Sequence, residues 1–108
     1  MFYYEKKITV LLTFIAMIFP TSVYAASKSG GYTLRSDSYT WAISTLTVTY
    51  NSSTKKVSGG DVAWKYKYPL GKNFNTYVTK VDTYYCSAYV TATVGNIKQE
   101  GRWKVSTK

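Results

Sequence analysis

Residues 84–105 alternate apolar and polar side chains on either side of a Gly95-Asn96 pair, a pattern that specifies an antiparallel β-hairpin whose turn sets its register. Tyr84, Cys86, Ala88, Val90, Ala92 and Val94 share one face of the first strand, and Ile97 to Val105 returns. A two-residue turn of type II′ or I′ makes opposed residue numbers sum to 191, twice the midpoint of Gly95 and Asn96. Val94 then faces Ile97, Ala92 faces Gln99, Val90 faces Gly101, Ala88 faces Trp103 and Cys86 faces Val105. Placing Trp103 across from the small Ala88, with Gly101 leaving room beside the indole, gives each large side chain a small partner. On the other face Tyr89 meets Arg102, Thr91 meets Glu100 and Ser87 meets Lys104.

The rest of the chain from Tyr32 onward has the same texture. Thr, Val, Tyr and Trp dominate, and no run of eleven or more residues keeps a helical apolar spacing, so no helix is expected there. A first long strand is predicted from about Ser38 to Tyr50. Tyr39, Trp41 and Ile43 share one parity while Leu46, Val48 and Tyr50 have the other, which requires a β-bulge or bend near Ser44-Thr45. Asn51 to Thr54 reads as a turn, and Lys55 to Ser58 as a short strand ended by Gly59-Gly60. Asp61 to Tyr68 alternates, with Val62, Trp64, Tyr66 and Tyr68 on one side and Ala63, Lys65 and Lys67 on the other. Pro69, Gly71 and Asn73 mark a loop before a strand at Phe74 to Val81. Six short strands joined by polar turns predict an all-β fold, a small antiparallel β-sandwich or open barrel.

Ahead of this region lies a different composition. Lys6 and Lys7 precede an uncharged run from Ile8 to Phe19, then Pro20 and a small-residue exit at Val23, Tyr24 and Ala25. This is the pattern of a signal peptide over residues 1–25, cut between Ala25 and Ala26. This run of twelve residues falls short of the roughly 20 apolar residues needed to span a bilayer. The expected product is exported: residues 26–31, with Gly30-Gly31, as a flexible leader, and residues 32–108 as a single β domain. Taking 25 residues from 108 leaves 83, a size at which a chain buries only about 60% of the surface its unfolded form exposes. Cys86 is the sole cysteine, so no internal disulfide compensates. Aromatic side chains, at about 150 to 250 Å² each, must supply much of the core.

Catalytic chemistry is poorly provided for. The chain has no histidine, and Asp37, Asp61, Asp82 and Glu100 are isolated from one another in sequence. No catalytic residue, metal site or cofactor is expected. Cys86 falls on the inner face of the hairpin and is read as a buried thiol, with a Cys86-linked dimer as the alternative to a monomer. Asp82 to Ala88, with Tyr84, Tyr85 and Cys86, resembles the end of the F strand of immunoglobulin variable domains over seven residues. The partner cysteine of that family is missing, and no function carries over.

Charge points to a surface role. The net charge is +9, or +8 once Lys6, Lys7 and Glu5 are removed, which favours anionic partners. Lys98, Arg102 and Lys104 share a face of the last strand interrupted only by Glu100, and Lys65 and Lys67 share the polar face of residues 61–68. These five are the candidate binding residues; the alternative is a charged face that discourages edge-to-edge aggregation. Trp64, Tyr66 and Tyr68 are either core or a platform for sugar rings. The expectation is a small secreted bacterial protein without enzymatic activity. It would be a binding module for an anionic cell-envelope polymer or a partner protein, held noncovalently at the wall or at a membrane surface. No nucleic acid is expected as a partner. The alternative is a secreted antimicrobial or bacteriocin-like effector acting on neighbouring envelopes.

Overall fold

The computed structural model describes residues 24–108. Except for Tyr24 and Ala25, the expected signal peptide lies outside the described residues. Six strands follow: β1 (Ala25–Arg35), β2 (Thr40–Asn51), β3 (Val57–Lys67), β4 (Lys72–Val81), β5 (Tyr85–Val94) and β6 (Ile97–Ser106). They form two three-stranded antiparallel sheets ordered β1-β2-β3 and β4-β5-β6. This is the expected all-β class, compatible with a small β-sandwich.

The core lies between the sheets. Leu34, Trp41 and Ala42 from the first sheet pack with Val90 and Ala92 from the second, and Leu46 and Val48 pack with Cys86, Ala88 and Val105. The β5–β6 register is the predicted one throughout, from Tyr85 opposite Ser106 to Val94 opposite Ile97. Gly95 has φ 63° and is the turn residue with positive φ, the signature of a type II′ turn. At the β2–β3 turn Asn51 Oδ1 accepts the backbone N–H groups of Ser53 and Thr54 at 2.8 and 2.9 Å, closing the expected turn.

Six strands are found, but two of them are not where the sequence puts them. Residues 26–31 are no flexible leader: they pair along β2 from Ala26 opposite Tyr50 to Gly31 opposite Thr45. Gly59-Gly60 ends no strand, since β3 runs through it and joins the two segments expected at Lys55–Ser58 and Asp61–Tyr68. In both places glycine is there because the opposite sheet needs the space. A β-carbon at Gly30 would lie 2.8 Å from Val105 Cγ2, and one at Gly60 would lie 2.8 Å from Cys86 Sγ. Gly101 follows the same logic, with a different neighbour from the one expected. The Tyr32 ring, arriving from β1, fills the space where a Gly101 side chain would be. Trp103 stacks on that ring at 5.6 Å and donates its indole N–H to Gly30 O at 3.0 Å, tying β6 to the edge of β1.

The predicted irregularity in β2 is present between Ile43 and Ser44, but its extra residue is on the neighbouring strand. Ile43 pairs with Tyr66 and Ser44 with Trp64, which leaves Lys65 of β3 unpaired. The extra residue of β2 itself is Trp41, skipped between the Leu34–Ala42 and Arg35–Thr40 pairs. That bulge lets Trp41 and Ala42 both be buried, so Ala42, Ser44, Leu46 and Val48 keep one parity toward the core. Ser44 is fully buried, and its hydroxyl is 2.8 Å from Thr76 Oγ1. Thr76 spends its own proton on Tyr89 O at 2.8 Å, so Ser44 is the donor in a hydroxyl chain that crosses between the sheets.

The Gly60–Cys86 contact is open to a double-mutant cycle. Gly60→Ala is expected to destabilise by about 1 to 3 kcal/mol in urea unfolding, and to cost much less in a Cys86→Ala background where Sγ is gone. Strictly additive losses would contradict the contact.

Candidate functional site

Antiparallel pairing sorts side chains by face. In β5 the even-numbered residues Cys86, Ala88, Val90 and Ala92 are buried, so Ser87, Tyr89, Thr91 and Thr93 stand on the outer face of the second sheet. Their partners on β4 and β6 complete four rows across that face. Lys72, Thr93 and Lys98 make the first row, and Asn75, Thr91 and Glu100 the second. Tyr77, Tyr89 and Arg102 make the third, and Lys80, Ser87 and Lys104 the fourth. The expected cluster of Lys98, Arg102 and Lys104 is therefore on one face, joined there by Lys72 and Lys80 from β4.

The cations of the third and fourth rows are held over aromatic rings. The Arg102 guanidinium lies 4.9 Å from the centre of the Tyr89 ring, and Lys104 Nζ and Lys80 Nζ lie 4.8 and 5.8 Å from that of Tyr85. Tyr77 packs on Tyr89 at 5.2 Å. Covered by Tyr77 and Arg102, Tyr89 is only 8% exposed, whereas Tyr77 itself is 46% exposed. The Tyr89 hydroxyl donates to Glu100 Oε1, and this bond holds the Glu100 carboxyl below its usual range and pushes the Tyr89 phenol up. Hydrogen bonding to Tyr85, and then to Asp82, raises Lys80, whose Nζ is 3.3 Å from Asp82 Oδ2. Asp82 is lowered chiefly by the Thr83 N–H, and then by Lys80. Two shallow cavities indent the face. One, of about 400 Å³, includes Lys80, Ser87, Arg102 and Lys104; the other, of about 390 Å³, includes Asn75, Thr91, Thr93 and Lys98.

Lys65 and Lys67 do not share a basic outer face. Lys65 is the unpaired bulge residue, and Lys67, opposite the buried Ala42, extends over the Trp64 and Phe74 rings at 5.8 Å each. The same bulge divides the aromatic stripe. Trp64 meets Phe74 edge-on at 5.7 Å beside the core, Tyr66 turns to the outer face opposite Ile43, and Tyr68 packs on Tyr39 at 4.8 Å. Cys86 is buried, as expected, and burial pushes its thiol up. The outer face of the first sheet is of another kind, with Ser27, Ser29, Thr33, Thr45, Thr47 and Thr49 beside Asp61.

Lys72, Tyr77, Lys80 and Tyr85 are the members of this face that sequence reasoning missed. Alternation along β4 is broken by register shifts between Lys72 and Asn75 and between Val78 and Lys80, so parity alone could not place them. Tyr85 is legible in retrospect, because the 191 rule puts it on the face of Lys104.

Tyr89→Phe is expected to raise the Glu100 pKa toward its ordinary value, read from the carboxyl chemical shift across a pH titration. A lowered carboxyl contributes stability above its unfolded pKa that is lost as pH falls through the folded value; the variant should lack that acid-side loss. An unchanged Glu100 titration would contradict the hydrogen bond. No protein-family model, curated protein or solved structure matches the chain, so the face is read from its own geometry.

Proposed function

We propose that this protein is an exported bacterial binding module without enzymatic activity, which attaches noncovalently to an anionic cell-envelope polymer through the outer face of the second sheet. The observation that carries the reading is the charge pattern there: Lys72, Lys80, Lys98, Arg102 and Lys104 stand in four adjacent rows that hold one carboxylate, Glu100, with Asp82 outside the rows paired to Lys80 at 3.3 Å. Glu100, kept ionised by the Tyr89 hydroxyl and by its neighbours Lys98 and Arg102, and Asp82, paired with Lys80, cancel two of these five charges, which leaves the face a net charge of +3 toward an approaching polyanion. Holding Arg102 and Lys104 over tyrosine rings lowers the entropy lost when they engage a ligand. The signal-peptide pattern of residues 1–25 supplies the route to the envelope.

Binding of the purified protein to isolated cell envelopes, followed across a salt series with dye release from anionic vesicles recorded in parallel, tests this reading. Salt-reversible binding without dye release is the expected result. Salt-independent binding, no binding, or release of dye would each overturn it, the last in favour of a bacteriocin-like effector.

A further inference from the structure

The four rows are not equivalent. The first and fourth have the same composition: a lysine on each flanking strand with a hydroxyl between them, Lys72–Thr93–Lys98 and Lys80–Ser87–Lys104. Each borders one of the two cavities, the first through Thr93 and Lys98 but not Lys72, and the fourth through Lys80, Ser87 and Lys104. Within a row the flanking Cα atoms are two strand spacings apart, about 9 to 10 Å. That gap lets two ammonium groups close on one anion from opposite sides, with the hydroxyl beneath it. Along β5 the rows are six residues apart, from Ser87 to Thr93, or about 20 Å. Between them stand the exposed Tyr77 ring, the Arg102 guanidinium and the Glu100 carboxylate, so the stretch between the rows carries no net charge.

We infer that the face is a two-pronged site for a linear polymer of phosphodiester-linked polyol or sugar units, laid along β5 with one phosphate in each Lys–hydroxyl–Lys row. This rests on the proposed attachment to an anionic envelope polymer and names its chemistry. Phosphate is favoured over carboxylate because a planar carboxylate is best met by the paired donors of an arginine. A tetrahedral phosphodiester presents its oxygens to several point charges at once, as two lysines and a hydroxyl would meet it. Nucleic acid is disfavoured by the aromatic groups themselves. Binding a single strand draws on successive exposed rings for its bases, and here only Tyr77 is open, Tyr89 lying under Arg102 and Tyr77 and Tyr85 under Lys104. Two rows that engage one chain act as tethered sites, so affinity should rise sharply once a chain is long enough to span both.

The test compares the affinity of the purified protein for long poly(glycerol phosphate), glycerol phosphate, poly-glutamate of matched length and oligothymidylate. Lys72→Gln/Lys98→Gln and Lys80→Gln/Lys104→Gln are measured alongside, with thermal unfolding confirming that each variant is folded. Long poly(glycerol phosphate) is expected to bind best. Either double variant should lose about tenfold or more on that polymer, and at most about twofold on glycerol phosphate, where the untouched row still serves. If the long polymer binds no better than the monomer, or if poly-glutamate or oligothymidylate binds better, the two-row inference is overturned while attachment to anionic polymers stands. If none of the four probes binds, both readings fail together.

Discussion

Everything on the outer face depends on how closely the two sheets approach, and that distance is set by three glycines. Gly30 leaves room for Val105, Gly60 for Cys86 and Gly101 for the Tyr32 ring. At each point one sheet gives up a side chain so that the other can fill the gap. This is how a chain of this size with one cysteine forms a dense interior: Leu46, Val48, Cys86, Ala88 and Val90 are almost entirely removed from water. The Trp103 indole bond to Gly30 O and the Gln99 side-chain bond to Arg35 O then fasten the second sheet to the edge of the first.

Close packing inside has a consequence outside. With the small residues of β5 turned inward, its larger residues Tyr85 and Tyr89 are turned outward, where they support the cations of β4 and β6. Tyr89 is the centre of this arrangement. It carries Arg102 on its ring, holds Glu100 through its hydroxyl, and packs against Tyr77. Arg102, Lys104 and Lys80 are thereby kept near fixed positions, while the Ser and Thr face of the opposite sheet offers no comparable charge. The two faces are chemically distinct, and the attachment proposed for this protein uses one of them.

What the sequence made legible, and what it hid, follows from where the determining contacts lie. The β5–β6 hairpin was readable to the residue because its turn and its alternation are local, and with it the placement of Lys98, Arg102 and Lys104. From the sequence alone Gly30-Gly31 reads as a leader and Gly59-Gly60 as a strand end, and neither is. A glycine pair in sequence looks the same whether it serves flexibility or makes room for Val105 or Cys86 on another strand. Lys65 and Lys67 failed as a pair for a related reason: alternation in residues 61–68 is regular in sequence, and the bulge at Lys65 is imposed by pairing with β2. Lys72 and Lys80 were invisible because β4 carries two register shifts of its own.

The central claim is that one face of one sheet does the binding, and backbone amide chemical-shift mapping during titration with poly(glycerol phosphate) tests it most directly. The account predicts shifts concentrated on Lys72, Tyr77, Lys80, Ser87, Thr93, Lys98, Arg102 and Lys104, with Ser29, Thr45 and Thr47 of the opposite sheet unmoved. Shifts centred on the serine and threonine face, or spread evenly over both sheets, would contradict it.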